Sequence, residues 1–78
     1  MAIEWKLRQV LGFRGIKNKD LADLMEWHPT TVSRMRHKKT LPKLNNDEIM
    51  TLLSAINQLT PSDLPRCKLS ELIVVVDD

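Results

Sequence analysis

Two short amphipathic segments separated by a tight break constrain the fold of this chain most strongly. In the first, Leu21, Ala22, Leu24 and Met25 recur at helical spacing and predict a helix over about 18–26. The break that follows is "WHP" (27–29), and its proline suits a first helical position because it has no N–H to leave unsatisfied. In the second segment, Val32 and Met35 indicate the inner side of a helix over about 29–37.

The segments before and after this pair are also helical in pattern. Leu7, Val10 and Leu11 predict a helix over about 6–14, which Gly15 can end in the left-handed conformation. Asn18 can cap the next helix.

The clearest helix is "NNDEIMTLLSAINQL" (45–59), where Asn45 and Glu48 have the spacing of a capping box. Its apolar stripe consists of Ile49, Leu52, Leu53 and Ile56. "TPSD" (60–63) repeats a helix-start signal and predicts one further helical turn.

The carboxyl-terminal tail differs from the rest of the chain. "LSELIVVVDD" (69–78) is rich in β-branched residues, and this composition favours a strand. A strand needs a backbone partner, and the alternating "AIEWK" near the amino terminus offers one. The pairing can form within the chain or across a dimer. The valine run (74–76) is either an interior strand or a dimer seam, and the small size of the chain favours the seam.

Composition limits the class of protein. The chain has 78 residues, enough for one domain, and it has no apolar run of the roughly 20 residues that a membrane span requires. Its amino terminus lacks the unbroken apolar run of a signal peptide, and its single cysteine, Cys67, fits a reducing cytosol. A cytoplasmic protein is therefore expected.

No spacing in the chain indicates catalysis or a cofactor. Gly12 and Gly15 are its two glycines and make no phosphate loop, and no nucleophile–base pair stands out. His28, His37 and Cys67 match no standard zinc pattern. We expect neither an enzyme nor a metal, cofactor or small-molecule site.

The charge is distributed unevenly along the chain. Residues 1–43 contain ten Lys and Arg against four acids, a balance of +6, whereas residues 44–78 contain two against six, a balance of −4. A basic half joined to an acidic half indicates a polyanion-binding face on one side of the molecule.

The outward face of the 29–37 helix has the properties of a base-reading surface. Thr30, Ser33, Arg34 and His37 stand at i, i+3, i+4 and i+7, opposite Val32 and Met35. Arginine can donate two hydrogen bonds to guanine, and a threonine methyl can contact thymine. An alternative for Arg34 is an ion pair with Asp23 or Glu26. Predicted phosphate contacts lie at both ends of the motif: Lys17, Asn18, Lys19, His37, Lys38, Lys39 and Lys43.

The segment "NKDLADLMEWHPTTVSRMRHKKTLP" (18–42) resembles the helix-turn-helix of phage Cro and repressor proteins, and "LLSAINQLTPSDL" (52–64) resembles their fourth and short fifth helices. The resemblance implies a mainly α, five-helix DNA-binding domain over residues 1–68. The resemblance covers about residues 5–64, so the strand-like tail at 69–78 lies outside it; from its composition the tail is a candidate dimerisation element that can pair with the amino-terminal segment. The resemblance also implies a third helix in the major groove of double-stranded DNA, a homodimer on a pseudo-palindromic site, and a bacterial or phage protein located at the nucleoid.

By position, the resemblance assigns base reading to His28, Pro29, Thr30, Ser33 and Arg34. It adds Thr31 and Asn18 as phosphate contacts. The family commonly has glycine in the turn where this chain has Glu26, so this glutamate must adopt a positive φ or helix 2 must continue.

These patterns favour a sequence-specific transcriptional regulator, a repressor acting as a homodimer. An antitoxin or protein-interaction adaptor that holds a partner protein with its carboxyl-terminal strand is the alternative.

Overall fold

The computed structural model describes residues 2–77, which form five helices and a two-stranded sheet. In chain order the elements are β1 (Ala2–Trp5), α1 (Leu7–Arg14), α2 (Asn18–Met25), α3 (Pro29–His37), α4 (Asn46–Leu59), α5 (Leu69–Leu72) and β2 (Ile73–Val76). The expected mainly helical fold with a carboxyl-terminal strand is confirmed.

The core is formed by the inner faces of the helices. Leu21 and Ala22 of α2, Val32 of α3, and Leu52 and Ile56 of α4 are all fully buried. α2 packs against both α3 and α4, and the small side chain of Ala22 on α2 is fully buried. Because α2 packs against two helices, contacts throughout the core fix the angle between α2 and α3.

The carboxyl-terminal tail pairs within the chain. β2 lies antiparallel to β1, with Ile3 opposite Val75 and Trp5 opposite Ile73. The strand begins later than the composition predicted, because residues 69–72 form the single turn of α5. That turn places Leu72 in the core, where it is fully buried.

α1 and α2 end in the same hydrogen-bonded turn, but with different residues at the left-handed position. After α1, Gly15 has φ 65° and Ile16 N donates to Leu11 O over 3.0 Å. After α2, Glu26 has φ 58° and Trp27 N donates to Ala22 O over 3.0 Å. Both are Schellman motifs. Glu26 therefore adopts the positive φ, the first of the two conformations open to it, and α2 is not extended.

One local prediction was wrong, and the resemblance misplaced one helix. Asn18 does not cap α2: the cap position is Lys17, and Asn18 is the first helical residue, with its side-chain oxygen accepting from Arg36 instead. The helix-start signal at 60–63 produces an isolated turn, in which Leu64 N donates to Pro61 O. Pro65 stops any continuation because the residue before a proline is disfavoured in helical conformation. The short fifth helix lies further along, at Leu69–Leu72.

Candidate nucleic-acid interface

α3 begins with a cap that fixes its orientation after the turn. His28 is the cap residue, and its Nδ1 accepts a 3.2 Å hydrogen bond from Thr30 N. Pro29 follows at the first helical position. A nitrogen that accepts a hydrogen bond carries no proton, so a neutral His28 has its proton on Nε2. This leaves Nε2–H as a donor at the exposed start of the helix.

The predicted base-reading residues lie together on the outer side of α3. His28, Pro29, Thr30 and Arg34 are exposed, and Ser33 is half-buried. Val32 and Met35 are buried beneath them, at 0% and 6% exposure. The inner row thus anchors the helix while the outer row remains accessible.

The electrostatic surroundings of α3 are positive. No acidic residue occurs between residues 27 and 46, and among residues 2–77 no ion pair involves Arg34. Arg34 therefore forms no ion pair with Asp23 or Glu26 among these residues, which was the alternative interpretation of its charge. Its guanidinium therefore remains available to an external acceptor.

A cleft on one side of α3 is lined by several of the residues that we predicted as phosphate contacts. It has a volume of about 310 Å³ and lies between α3 and the α3–α4 connection. Its polar lining consists of Thr31, Arg34, Lys38, Lys43 and one acidic residue, Glu48. We call it the α3–α4 cleft.

A second cavity lies at the carboxyl-terminal end of α3, towards β1 and α1. It has a volume of about 220 Å³, and we call it the amino-terminal pocket. Its lining contains Glu4, Trp5, Lys6, Arg8, Gln9, Arg36, His37, Lys38 and Lys39. Three predicted phosphate contacts, His37, Lys38 and Lys39, therefore share a cavity with residues from the start of the chain.

The remaining predicted phosphate contacts stand at the amino-terminal end of α2. Lys17 and Lys19 are exposed and Asn18 is half-buried. Arg36 connects this end to α3, because its Nη1 donates to Asn18 Oδ1 over 2.8 Å and to Ile16 O over 3.5 Å. The Asn18 amide nitrogen remains as a donor beside the positive end of the helix dipole.

Sequence analysis did not predict a role for Lys6, Arg8 or Arg36, which all line the amino-terminal pocket. Arg36 does not lie on the i, i+3, i+4 face of α3, so its positive charge was the feature of the sequence that could have indicated a contact with an anion. Lys6 and Arg8 precede α3 by more than twenty positions, so no local spacing relates them to it.

Within residues 2–77 there is no cluster of three His, Cys, Asp or Glu side chains that could hold a metal ion. Cys67 is buried, and its burial raises the pKa of its thiol, an effect that nearby Arg14 opposes. A neutral thiol is a poor metal ligand.

The tight turn, the accessible row on α3 and the basic flanks together define a helix-turn-helix DNA-binding domain. The sequence profile of the Cro/C1-type HTH DNA-binding domain matches residues 6–78, and the chain belongs to this family. The expected resemblance is confirmed, and the family is one of DNA-binding domains rather than enzymes. No curated protein and no solved structure matches the chain significantly. Among residues 2–77, no helix is long and apolar enough to cross a membrane.

Proposed function

We propose that this protein is a sequence-specific transcriptional repressor that binds DNA as a homodimer. α3 enters the major groove, where His28, Pro29, Thr30, Ser33 and Arg34 contact base edges. Backbone phosphates are held by the polar and basic residues around it: Lys17, Asn18, Lys19, Thr31, His37, Lys38, Lys39 and Lys43. The base contacts provide sequence preference, whereas the phosphate contacts provide most of the affinity.

The observation that carries this proposal is the accessible, uncompensated cation on α3. Arg34 is exposed, lies beside Thr30 and Ser33, and has no acidic partner among residues 2–77. A guanidinium in such a position can donate two parallel hydrogen bonds to guanine O6 and N7. The flanking lysines then approach phosphates on either side of the groove.

The support for a homodimer is the outer edge of β2. Lys6 N donates to Leu72 O over 2.8 Å, and bonded and non-bonded pairs alternate along an antiparallel ladder. The N–H and C=O groups of Val75 therefore point away from β1. Four consecutive β-branched residues, Ile73–Val76, form this edge, and such an edge is a template for pairing with another chain.

A two-fold axis near Val75 would join two copies into a four-stranded sheet in the order β1-β2-β2-β1. The Val75 side chain is 56% exposed, and the opposite Ile3 is 47% exposed on the same face. Pairing of two copies would bring the two Val75 side chains next to each other on this face. Two α3 helices related by the same axis could read half-sites about 34 Å apart.

Selection of bound sites from random duplex DNA tests the proposal. We expect two inverted half-sites with centres about 10 base pairs apart. Enrichment of a single half-site would contradict the homodimer but not DNA reading, and no enrichment would contradict sequence specificity. Repression is tested by placing the selected site across a promoter, where transcription should fall when the protein is present and an increase would indicate an activator.

The same β2 edge also favours the second candidate function, an adaptor or antitoxin that holds a partner protein. In that case the edge pairs with a strand of another protein, and DNA binding by α3 serves to bring that partner to its site.

A further inference from the structure

The amino-terminal pocket contains more positive charge than the predicted phosphate contacts account for. Five cationic side chains line it: Lys6, Arg8, Arg36, Lys38 and Lys39. Glu4 is the one acidic residue in the lining, and its Oε1 lies 3.0 Å from Lys6 Nζ. The lining therefore carries a net charge of four positive units, five cations against one acid, on a concave surface that concentrates its field.

Arg36 is held in place at this pocket. It is half-buried, and its bond to Asn18 Oδ1 and contact with Ile16 O fix its guanidinium between α2 and α3. A cation whose position is already fixed loses little side-chain entropy when it meets an anion.

The first turn of α1 adds hydrogen-bond donors to the pocket. Lys6, Arg8 and Gln9 all lie in or next to this turn, which contains no acidic residue. In an α-helix the first N–H groups have no partner within the helix. The N–H of Lys6, at the cap position, already donates to Leu72 O, but Lys6 makes no side-chain capping bond, so the N–H groups that follow it in the turn add to the positive potential.

We propose that the amino-terminal pocket binds a phosphate of the DNA backbone, with Lys6, Arg8 and Arg36 as its holding groups. This inference rests on the proposed function, because the pocket adjoins His37 and Lys38 at the end of the base-reading helix. The bound phosphate is one that flanks the bases read by α3. β1 and the start of α1 thereby become part of the DNA interface, and Glu4 lowers the affinity of the pocket by pairing with Lys6.

The test compares Arg8→Gln with Lys68→Gln, a matched control on an exposed lysine outside both cavities. Arg8 is exposed, so its replacement should leave the melting temperature unchanged. On a selected site, we expect Arg8→Gln to reduce the slope of log affinity against log salt by about one unit and the affinity at 0.1 M salt roughly five- to tenfold. Lys68→Gln should change neither. Ethylation of single phosphates should reveal one position that weakens the wild-type protein and no longer weakens Arg8→Gln.

The possible outcomes distinguish a failure of this inference from a failure of the proposed function. Specific binding by the wild type, with an unchanged salt slope and ethylation pattern in Arg8→Gln, would overturn the pocket and leave the DNA-binding function standing. Failure of the wild type to select any site would overturn both. Binding of a free anion is tested by adding inorganic phosphate at constant ionic strength and following the chemical shift of the backbone amide at residue 8. If phosphate shifts this amide in the wild type but not in Arg8→Gln, and the substitution leaves the DNA salt slope unchanged, the pocket binds a free anion and the assignment to DNA is overturned.

Discussion

The indole Nε1 of Trp5 donates a 2.9 Å hydrogen bond to the carbonyl oxygen of Met35, in the last turns of α3. The backbone N–H of Trp5 also donates to Lys39 O over 2.9 Å, just after α3 ends. One residue of β1 thus holds the carboxyl-terminal end of α3 at two points. Since β1 pairs with β2, hydrogen bonds connect the two-stranded sheet to the end of α3.

Replacing Trp5 with phenylalanine tests this connection. The substitution keeps an aromatic ring but removes the shorter of the two hydrogen bonds to the Met35 carbonyl, which keeps the 3.3 Å bond from Lys38 N, and it opens a small gap. We therefore expect a loss of about 1–3 kcal/mol in unfolding free energy. Urea denaturation followed by circular dichroism measures it, and affinity for the selected DNA site should fall with it. Trp27→Phe is the control, because Trp27 is half-buried and its indole donates to no residue among 2–77. Equal losses in the two variants would contradict the role of the Trp5–Met35 bond.

The turn between α2 and α3 predicts a stabilising substitution. Glu26 has φ 58°, a conformation that costs a residue with a side chain roughly 1–2 kcal/mol relative to glycine, partly offset by the greater freedom of glycine in the unfolded chain. Glu26→Gly should therefore raise the free energy of unfolding by about 0.5–1 kcal/mol. Glu26→Gln removes the charge but keeps the backbone cost, and it should give no such gain. If the glycine and glutamine variants are equally stable, the strain at this position is negligible.

Base contacts and phosphate contacts should respond differently to truncation. Arg34→Ala should cost about 1–3 kcal/mol on the selected site and relax preference at one base pair, because it removes the bidentate donor. Lys38→Ala should weaken binding to all sequences alike and reduce the salt slope by about one unit. Binding isotherms on the selected site and its single-base variants measure both effects. An Arg34→Ala protein with unchanged affinity and unchanged site preference would rule out its role in base reading.

Asn18 offers a substitution that separates stability from DNA affinity. Asn18→Asp should strengthen the contact with Arg36 and favour the amino-terminal end of α2, so stability should hold or rise slightly. The new carboxylate would also face the predicted phosphate, so DNA affinity should fall about tenfold or more. Asn46→Asp is the matched control, because Asn46 is the first residue of α4 and lines neither cavity. Unchanged DNA affinity in Asn18→Asp would remove Asn18 from the interface.

The outer edge of β2 predicts an effect on assembly. Val75→Lys places a charge at the centre of the proposed β2 seam, so a dimer should become a monomer, as measured by sedimentation equilibrium. The protomer should stay folded, since Val75 is already exposed. Leu69→Lys, at an exposed position in α5, controls for the added charge. A point substitution is preferable to removal of residues 69–78, because that deletion would also remove the buried Leu72 from the core. If Val75→Lys changes neither the mass nor DNA binding, the edge serves a different protein chain.

The parts of the fold that depend on local signals were predictable. Pro29 begins α3 as expected, and the Asn45–Glu48 capping box forms with both of its hydrogen bonds present. The left-handed Gly15 ends α1. Each of these features depends on residues within four positions of one another, so a short stretch of sequence contains the whole physical cause.

Predictions failed where a local signal competed with tertiary structure. Asn18 is a good cap residue, yet its side chain is used by Arg36 from a different helix. The resemblance placed a fifth helix in the segment that ends at residue 64, but the start signal at 60–63 gives a single turn, because Pro65 follows it and one turn alone cannot offset the cost of helix nucleation. Residues 69–72 have strand-like neighbours, but burial of Leu72 accompanies one helical turn before the strand begins.

The amino-acid sequence by itself determined the four longer helices, the tight turn between α2 and α3, and the accessible polar row on α3, because helical periodicity and capping act over a few residues. The tertiary structure decided which distant groups meet: Trp5 with Met35, Arg36 with Asn18, and Lys6 and Arg8 with the end of α3. It also decided that β2 pairs with β1 of the same chain. Backbone hydrogen bonds are alike for any two strands, and a side chain contains no local signal of a partner thirty or seventy positions away, so only the packed core selects these contacts.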